Sequence, residues 1–558
     1  MKPDFTRYYR YDELTDILRS LVEAYPDLAS LYSIGQSREG REIWAVEITN
    51  RATGPGDDKP GVYLDGNTHA GEVAGSAVCL YTIWYLLEYY ASDDRVRHLV
   101  DTRVFYVVPR ITVDGSELYL TTPEMLRSGP RLYPETEELD GLYPEDIDGD
   151  GRILTMRLED PDGDWKVSAK DPRLMVRRGP TERCGTYYRL YTEGLIRGYD
   201  GDVIRYAPPR RGLDFNRNYP TNWAPEHRQR GSGDYPFSEP EMRAIGRFYL
   251  EHPNIVTGMA YHTSGGVLLR PLCLEVDAKM DRVDLAMYKA VGEVGKAATG
   301  YPCKSVFEGF TADKSHPPVG SDLEWLYETL GIFAFEAELW DMSGRAGIPN
   351  RDLHVLMTLS PEQQEEDGLK LLAWNDRELG GQGFIDWKPF DHPQLGLVEL
   401  GGWEPKFVRQ NPPPHLLPDE CEHNFGFNLV RAEITPLLKI ESFEAESVGE
   451  GVFKLVAMVA NTGYLPTSGT ARAQEMKAAK PVQVELQLPT GAELVLGRVK
   501  QEIGHLEGRG NGEAGGLWGR APVDSRRRLQ WIVKGSGTYR VSASAPRAGR
   551  SQATVEVE

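Results

Sequence analysis

No stretch of this chain stays apolar for the roughly 18 residues that a membrane-spanning helix requires, so no membrane partner is expected. The opening MKPDFTRYYRYDELTDILRS lacks the apolar centre of a secretory leader, and a cytoplasmic location is the expectation that follows. Cysteine is scarce: Cys79, Cys184, Cys273, Cys303 and Cys421 are scattered, odd in number and form no C-x-x-C pair. That argues against a disulfide framework and fits buried thiols in a reducing compartment. Positive charge is also in deficit. With 63 Lys and Arg against 84 Asp and Glu the formal charge is −21, a surface that repels nucleic-acid phosphates.

What remains is an ordinary globular mixture, 40% hydrophobic and 26% charged over 558 residues, long enough for two or three domains. Leu14, Ile17, Leu18, Leu21 and Val22 recur at helical spacing and predict an amphipathic helix over residues 12–25. Short apolar runs at 104–109, 255–261 and 332–339 read as strands covered on both faces, and a long apolar helix is expected from about 73 to 90. Strands alternating with helices imply an α/β domain with a mixed, largely buried sheet. Between about 115 and 212 the rhythm breaks into Asp, Gly, Pro and Arg, which predicts a long insertion with little regular structure. An irregular closing segment is expected at about 380–433, ending a first domain of residues 1–433. Beyond it Val482, Val484, Leu486 and Leu488 alternate with polar residues, as do Tyr539, Val541, Ala543 and Ala545. This period of two predicts an antiparallel β-sandwich over 434–558.

The stretch DGNTHAGEVAG (65–75) places His69 and Glu72 three apart in the turn between a strand and a helix. A hydrolytic zinc site takes three protein ligands of this kind. The pair alone is more often a surface contact than a metal site. His262, at the end of the apolar run before TSGG, is the candidate third ligand, because sites in open α/β sheets gather beyond the carboxyl ends of strands.

THAGE, followed in order by DFNRNYP, PFSEPE, AYHTSGG and FEAELWD, resembles the zinc metallocarboxypeptidases related to carboxypeptidase A. The similarity runs from about residue 8 to 345, across the insertion, and the sandwich lies outside it. The resemblance implies a carboxypeptidase-like α/β fold and one zinc ion held by His69, Glu72 and His262. The substrates it implies are peptides with a free C-terminus. Glu336 and Glu338 have the same parity in their strand, so periodicity does not choose between them; the family's Phe-Glu-Leu register puts the general base on Glu338. Asn216 and Arg217 match the pair that grips the substrate carboxylate, a task suited to a bidentate guanidinium. The arginine that polarises the scissile carbonyl falls within the insertion, where Arg157 is the first choice and Arg152 and Arg127 are alternatives. Leu323 stands at the position that sets side-chain preference and hints at a neutral or hydrophobic C-terminal residue. The family's mobile tyrosine finds no counterpart, and His316 lies near its place.

Two further readings stand beside this one. The same zinc fold serves as an amidohydrolase of cell-wall peptides or other amides, and a non-catalytic scaffold would need no intact site. In the insertion, Asp146, Asp148 and Asp150 alternate as in the first half of an EF-hand loop, which makes calcium a candidate second cation. The twelfth position is Arg157 rather than the bidentate Glu, so other ligands would be needed.

Overall fold

The computed structural model describes residues 2–518 and 522–558. At its centre lies an eight-stranded mixed sheet. From edge to edge the order is Ala29–Gln36, Glu42–Ile48, Val104–Val108, Gly61–Gly66, Ile255–Thr263, Phe333–Leu339, Val267–Arg270 and Cys303–Ser305. The four inner strands run parallel to one another, and every residue of Gly61–Gly66, Val104–Val108 and Ile255–Thr263 is buried. Two apolar layers account for this. Val62, Leu64, Phe105 and Val107 face one cluster, and Tyr63, Val104, Tyr106 and Val108 face the other.

The helix Tyr11–Ala24 buries Leu14, Leu18 and Leu21, and Glu13 reaches back to accept from the Arg10 N–H at 2.9 Å. The helix Ala74–Glu88 is apolar nearly all round because it lies between the sheet and a second helix, Leu417–Glu433. Its first turn comes very close to the strand before it: a Cβ on Gly66 would lie 2.6 Å from the carbonyl carbon of Gly75. The glycines of DGNTHAGEVAG therefore let helix and strand meet at the turn that carries His69 and Glu72.

Two expectations are corrected here. The region 115–212 carries six short strands between longer stretches without regular structure. Gly141–Pro144 pairs with Gly194–Arg197, while Thr155–Glu159, Tyr188–Thr192, Trp165–Val167 and Met175–Arg177 join a six-stranded sheet with Phe384–His392 and Gly396–Trp403. The closing segment is ordered too, as that hairpin and the helix Leu417–Glu433. The pairing is long-range, with Met156 opposite Leu400, so no local pattern in the Asp- and Gly-rich stretch announces it.

The C-terminal strands form two four-stranded antiparallel sheets enclosing Leu455, Val484, Trp531 and Val541. Gln483–Gln487 alternates exposed and buried as its sequence does. This sandwich is seated on the α/β part. Leu465 belongs to the first cluster of the central sheet, and the buried Arg547 donates to the carbonyls of Leu330, Gly331 and Ser468 at 2.6–2.9 Å. Among the described residues no helix is long and apolar enough to cross a membrane.

Candidate metal centre and active site

The turn after Gly61–Gly66 is held open by Asn67, which adopts a left-handed conformation (φ 58°) and donates to the carbonyls of His69 and Ala70. That geometry turns His69 and Glu72 toward the end of Ile255–Thr263. Their ligating atoms converge there with those of His262. Glu72 Oε1 lies 2.9 Å from His69 Nδ1, Glu72 Oε2 lies 2.9 Å from His262 Nδ1, and the two Nδ1 atoms are 3.0 Å apart. All three residues are buried.

The donor set suits a zinc ion. Both imidazoles present the same nitrogen to one point, and Asp214 Oδ1, 3.0 Å from His69 Nε2, fixes the His69 tautomer and leaves Nδ1 free to ligate. Burial would raise the Glu72 carboxyl, but the two imidazoles outweigh it and hold the group well below its usual range. Burial and Arg127 pull His69 down, while Glu72 and Asp214 more than offset them and the net shift is upward.

Parallel pairing sets the next residues by register. Glu338 lies opposite His262, and Glu336 lies opposite Ala260, whose other neighbour is Asp65. Two rows result, one holding His262 and Glu338, the other Asp65 and Glu336. The shared parity of the glutamates is thereby resolved in space. Glu336 accepts from Asn216 Nδ2 at 3.0 Å, whereas the Glu338 carboxylate has no hydrogen-bond partner among the described residues. Burial, Glu72 and Glu336 raise the Glu338 pKa well above the ordinary value, against Arg127 and Arg217.

Asn216 and Arg217 occupy a short helical turn, Phe215–Arg217, capped by Asp214, which accepts from the Asn216 N–H at 2.9 Å. Asp214 thus serves the His69 tautomer and the anchor turn together. The sequence reading passed over it, although it opens the DFNRNYP motif. Asn216 Oδ1 accepts from the Asp322 N–H at 2.8 Å. Asp322 is therefore the residue of its segment at the anchor, and Leu323 is packed in the second apolar cluster instead. Burial and Glu336 push Asp322 well above its usual value, while Asp322, His262 and Asn216 outweigh burial and lower Glu336.

The choice among arginines is corrected. Arg157 belongs to the six-stranded sheet, where it pairs with Glu399 at 2.8 Å and stacks on Trp387 and Tyr188. Arg127, the alternative, is the one at the centre: its Nη1 lies 3.3 Å from Glu72 Oε1 and its Nε donates to Asp214 Oδ2 at 3.0 Å. Its carbonyl accepts from the Ala70 N–H, which ties this stretch to the ligand turn. His316 is 85% exposed and pairs with Asp313, away from these groups.

In the acidic loop, Asp146 accepts from the N–H groups of Gly149 and Gly151, Asp148 from Asp150, and Asp150 pairs with Arg152. Asp146 and Asp148 approach Glu193, whose carboxylate accepts from Ile147 and Leu154. Asp150 is not in that group.

With the ligand trio and its neighbours in place, sequence comparison is decisive. A family model described as zinc carboxypeptidase matches residues 14–363. The chain belongs to the zinc carboxypeptidase family. Residues 437–556 match a domain family of unknown function. Carboxypeptidase A6 of Homo sapiens is 22% identical over 343 residues, which is 60% of this chain and 60% of that protein. Carboxypeptidase B of Astacus astacus is 30% identical over 210 residues, 37% of this chain and 59% of that one. The chain therefore spans about 60% of the length of these two relatives, and 8% of carboxypeptidase D of Drosophila melanogaster. Carboxypeptidase A from Helicoverpa armigera is a solved structure with a TM-score of 0.38 and 16% identity, matched over 68% of this chain and 74% of its own. Membership of that family gives the α/β part a carboxypeptidase-like fold.

Proposed function

We propose that this chain is a zinc-dependent carboxypeptidase that cleaves the last peptide bond of peptides with a free C-terminus. The observation that carries the reading is the convergence of His69, Glu72 and His262 on one point, with an unpartnered Glu338 beside His262. When held by that trio, zinc supplies Lewis acidity to the scissile carbonyl and to a water. Glu338 takes the proton of the attacking water and later hands it to the leaving amine. Arg127 donates to the oxygen on which negative charge develops. Asn216 and Arg217 hold the terminal carboxylate and so fix which bond is cut.

The test is hydrolysis of blocked dipeptides, with zinc content measured on the same sample, for wild type beside Glu338→Gln. The expected result is one zinc per chain in both, and turnover reduced by about a thousandfold in the variant. Full turnover in Glu338→Gln, or absence of zinc from the wild type, would sink the mechanism. Cleavage of amidated peptides in preference to free ones would move the reading to an amidohydrolase.

The released residue has a second reading. A neutral or hydrophobic preference rested on Leu323, which is packed in the core. Asp322, beside Asn216, keeps a buried Oδ1 without a hydrogen-bond partner, and Glu336 and Asp65 lie nearby. These acids favour a cationic side chain at the C-terminus. Dipeptides ending in Lys or Arg, compared with Leu or Phe, decide between the two.

A further inference from the structure

The insertion builds a cleft of about 860 Å3 next to the candidate metal centre. Arg127 belongs to both. It lines the cleft, while its guanidinium reaches Glu72 and Asp214 and its carbonyl accepts from Ala70 in the ligand turn. Much of the remaining wall is the strip 206–212, which is firmly tied down. Its neighbour Arg205 accepts from the Leu142 N–H at 2.7 Å, and Ala207 donates back to the Leu142 carbonyl at 3.1 Å. The Arg210 carbonyl accepts from Tyr133 at 2.7 Å, and Gly212 donates to the Tyr133 carbonyl at 2.8 Å. The cleft is therefore a formed concavity, which a ligand enters without first ordering its walls.

The chemistry of those walls selects the ligand. Glu124 pairs with Arg211, Arg210 with Glu138 and Glu145 with Arg197. Asp146 accepts from the N–H groups of Gly149 and Gly151. With Arg127 held by Glu72 and Asp214, each charge on the walls is answered within the protein. The surface left to a ligand is chiefly apolar, with Met125, Leu126, Leu132, Tyr206 and Pro208 lining it. Met125 and Tyr206 are 48% and 54% exposed, and the Tyr206 hydroxyl is fixed by accepting from the Thr192 N–H at 2.9 Å. Large apolar groups kept half open to water inside a concave site favour an apolar ligand.

The position of the cleft says which part of a peptide would reach it. A carboxypeptidase keeps one residue beyond the bond it cuts, and the anchor at Asn216 and Arg217 bounds that residue. The cleft takes in Arg127, the group assigned to the scissile carbonyl, and neither anchor residue. A chain held at the anchor and drawn past Arg127 would thus enter it with its upstream part. We propose that the cleft is an upstream subsite for a large apolar or aromatic side chain of the peptide, with Tyr206 and Met125 as specificity-determining residues. The upstream direction rests on the carboxypeptidase reading, whereas the apolar preference rests on the walls alone.

The experiment uses the zinc-loaded full chain and blocked tetrapeptides with a constant last residue, carrying Phe, Ala, Glu or Lys in turn at the three positions before it. At one position Phe should lower KM by about tenfold relative to Ala, the return on burying roughly 55 Å2 of apolar surface, with kcat little changed. Glu and Lys should do no better than Ala. Tyr206→Ser and Met125→Ser should each cut the Phe preference to about threefold, and the double variant to about one. Met125 is half exposed, so its variant carries the test where Tyr206→Ser does not fold. Equilibrium binding of the same peptides is measured alongside. Tighter binding of the Phe peptide, weakened in the variants, supports the subsite even if nothing is hydrolysed, in which case only the carboxypeptidase reading falls. Equal binding of Phe and Ala peptides, binding of none, tighter binding of Glu or Lys peptides, or a Phe preference that survives in the double variant overturns the proposal.

Discussion

Asp214 faces His69 Nε2, Arg127 Nε and the N–H of Asn216 at 2.9–3.0 Å. One carboxylate therefore sets the tautomer of a ligand, steadies the arginine beside it and caps the anchor turn. Asp214→Asn should weaken zinc binding by about ten- to a hundredfold, as loss of a ligand's outer hydrogen bond does elsewhere. Competition against a chelator measures it, and unchanged affinity would show that His69 needs no such partner. At this scale the convergence of the candidate trio was legible because each member follows an apolar run within a short motif. Arg127 was harder to find. It lies within the insertion, and contacts across more than fifty residues, the hydrogen bond from Ala70 to its carbonyl and that from its side chain to Glu72, bring it to the ligand turn. Leu323 was misread because one added residue in GSDLEW shifts which side chain meets the anchor, and Asp322 meets it.

Two elements outside the ligand turn each support a test of their own. Arg157 ties together strands from the insertion and the closing hairpin through Glu399, Trp387 and Tyr188. Arg157→Met should cost about 1–3 kcal/mol in chemical denaturation while kcat/KM on a blocked dipeptide stays within about twofold. Arg127→Met should instead lower kcat by about a hundredfold. The opposite pattern would return the carbonyl-polarising role to Arg157. The segment at Asn411 acts differently, by satisfying the Gly71 carbonyl and the Ala74 N–H on either side of Glu72. Asn411→Ala leaves that carbonyl and that amide buried and unpaired, at a cost of about 2–4 kcal/mol. Zinc affinity should drop with it, and a variant as stable and as zinc-avid as wild type would show the segment to be a passive cover. Sequence patterning gave the central strands and the first two long helices well, since their periodicity is local. The six-stranded sheet stayed hidden because its short strands find partners some two hundred and forty residues away.

For the whole molecule, the seat of the sandwich has a titratable member. Asp284 is fully buried, accepts from the N–H groups of Ala471 and Arg472 and from the Tyr327 hydroxyl, and is pushed by burial up to about 6. Its folded-state pKa lies above the unfolded value of about 3.9, so its contribution is full below that value and is lost as pH rises through about 6. Lowering the pH from 7.5 to 5 should therefore add about 1 kcal/mol to stability through this group. Asp284→Asn should lack that increment when unfolding is followed at the two pH values. Equal slopes in wild type and variant would remove Asp284 from the account.

Arg547 holds the carbonyls of Leu330 and Gly331, immediately ahead of the strand that carries Glu336 and Glu338. The two ends of that grip are 216 residues apart in the chain. A ribosome making 5–20 residues each second or so needs roughly 10–40 seconds to cover that gap. The strand Phe333–Leu339 is thus synthesised well before the group that clamps its entry, and a nascent chain carrying the whole candidate trio still waits for its sandwich. Messages broken within that interval would yield proteins in which that strand is left unclamped at its entry.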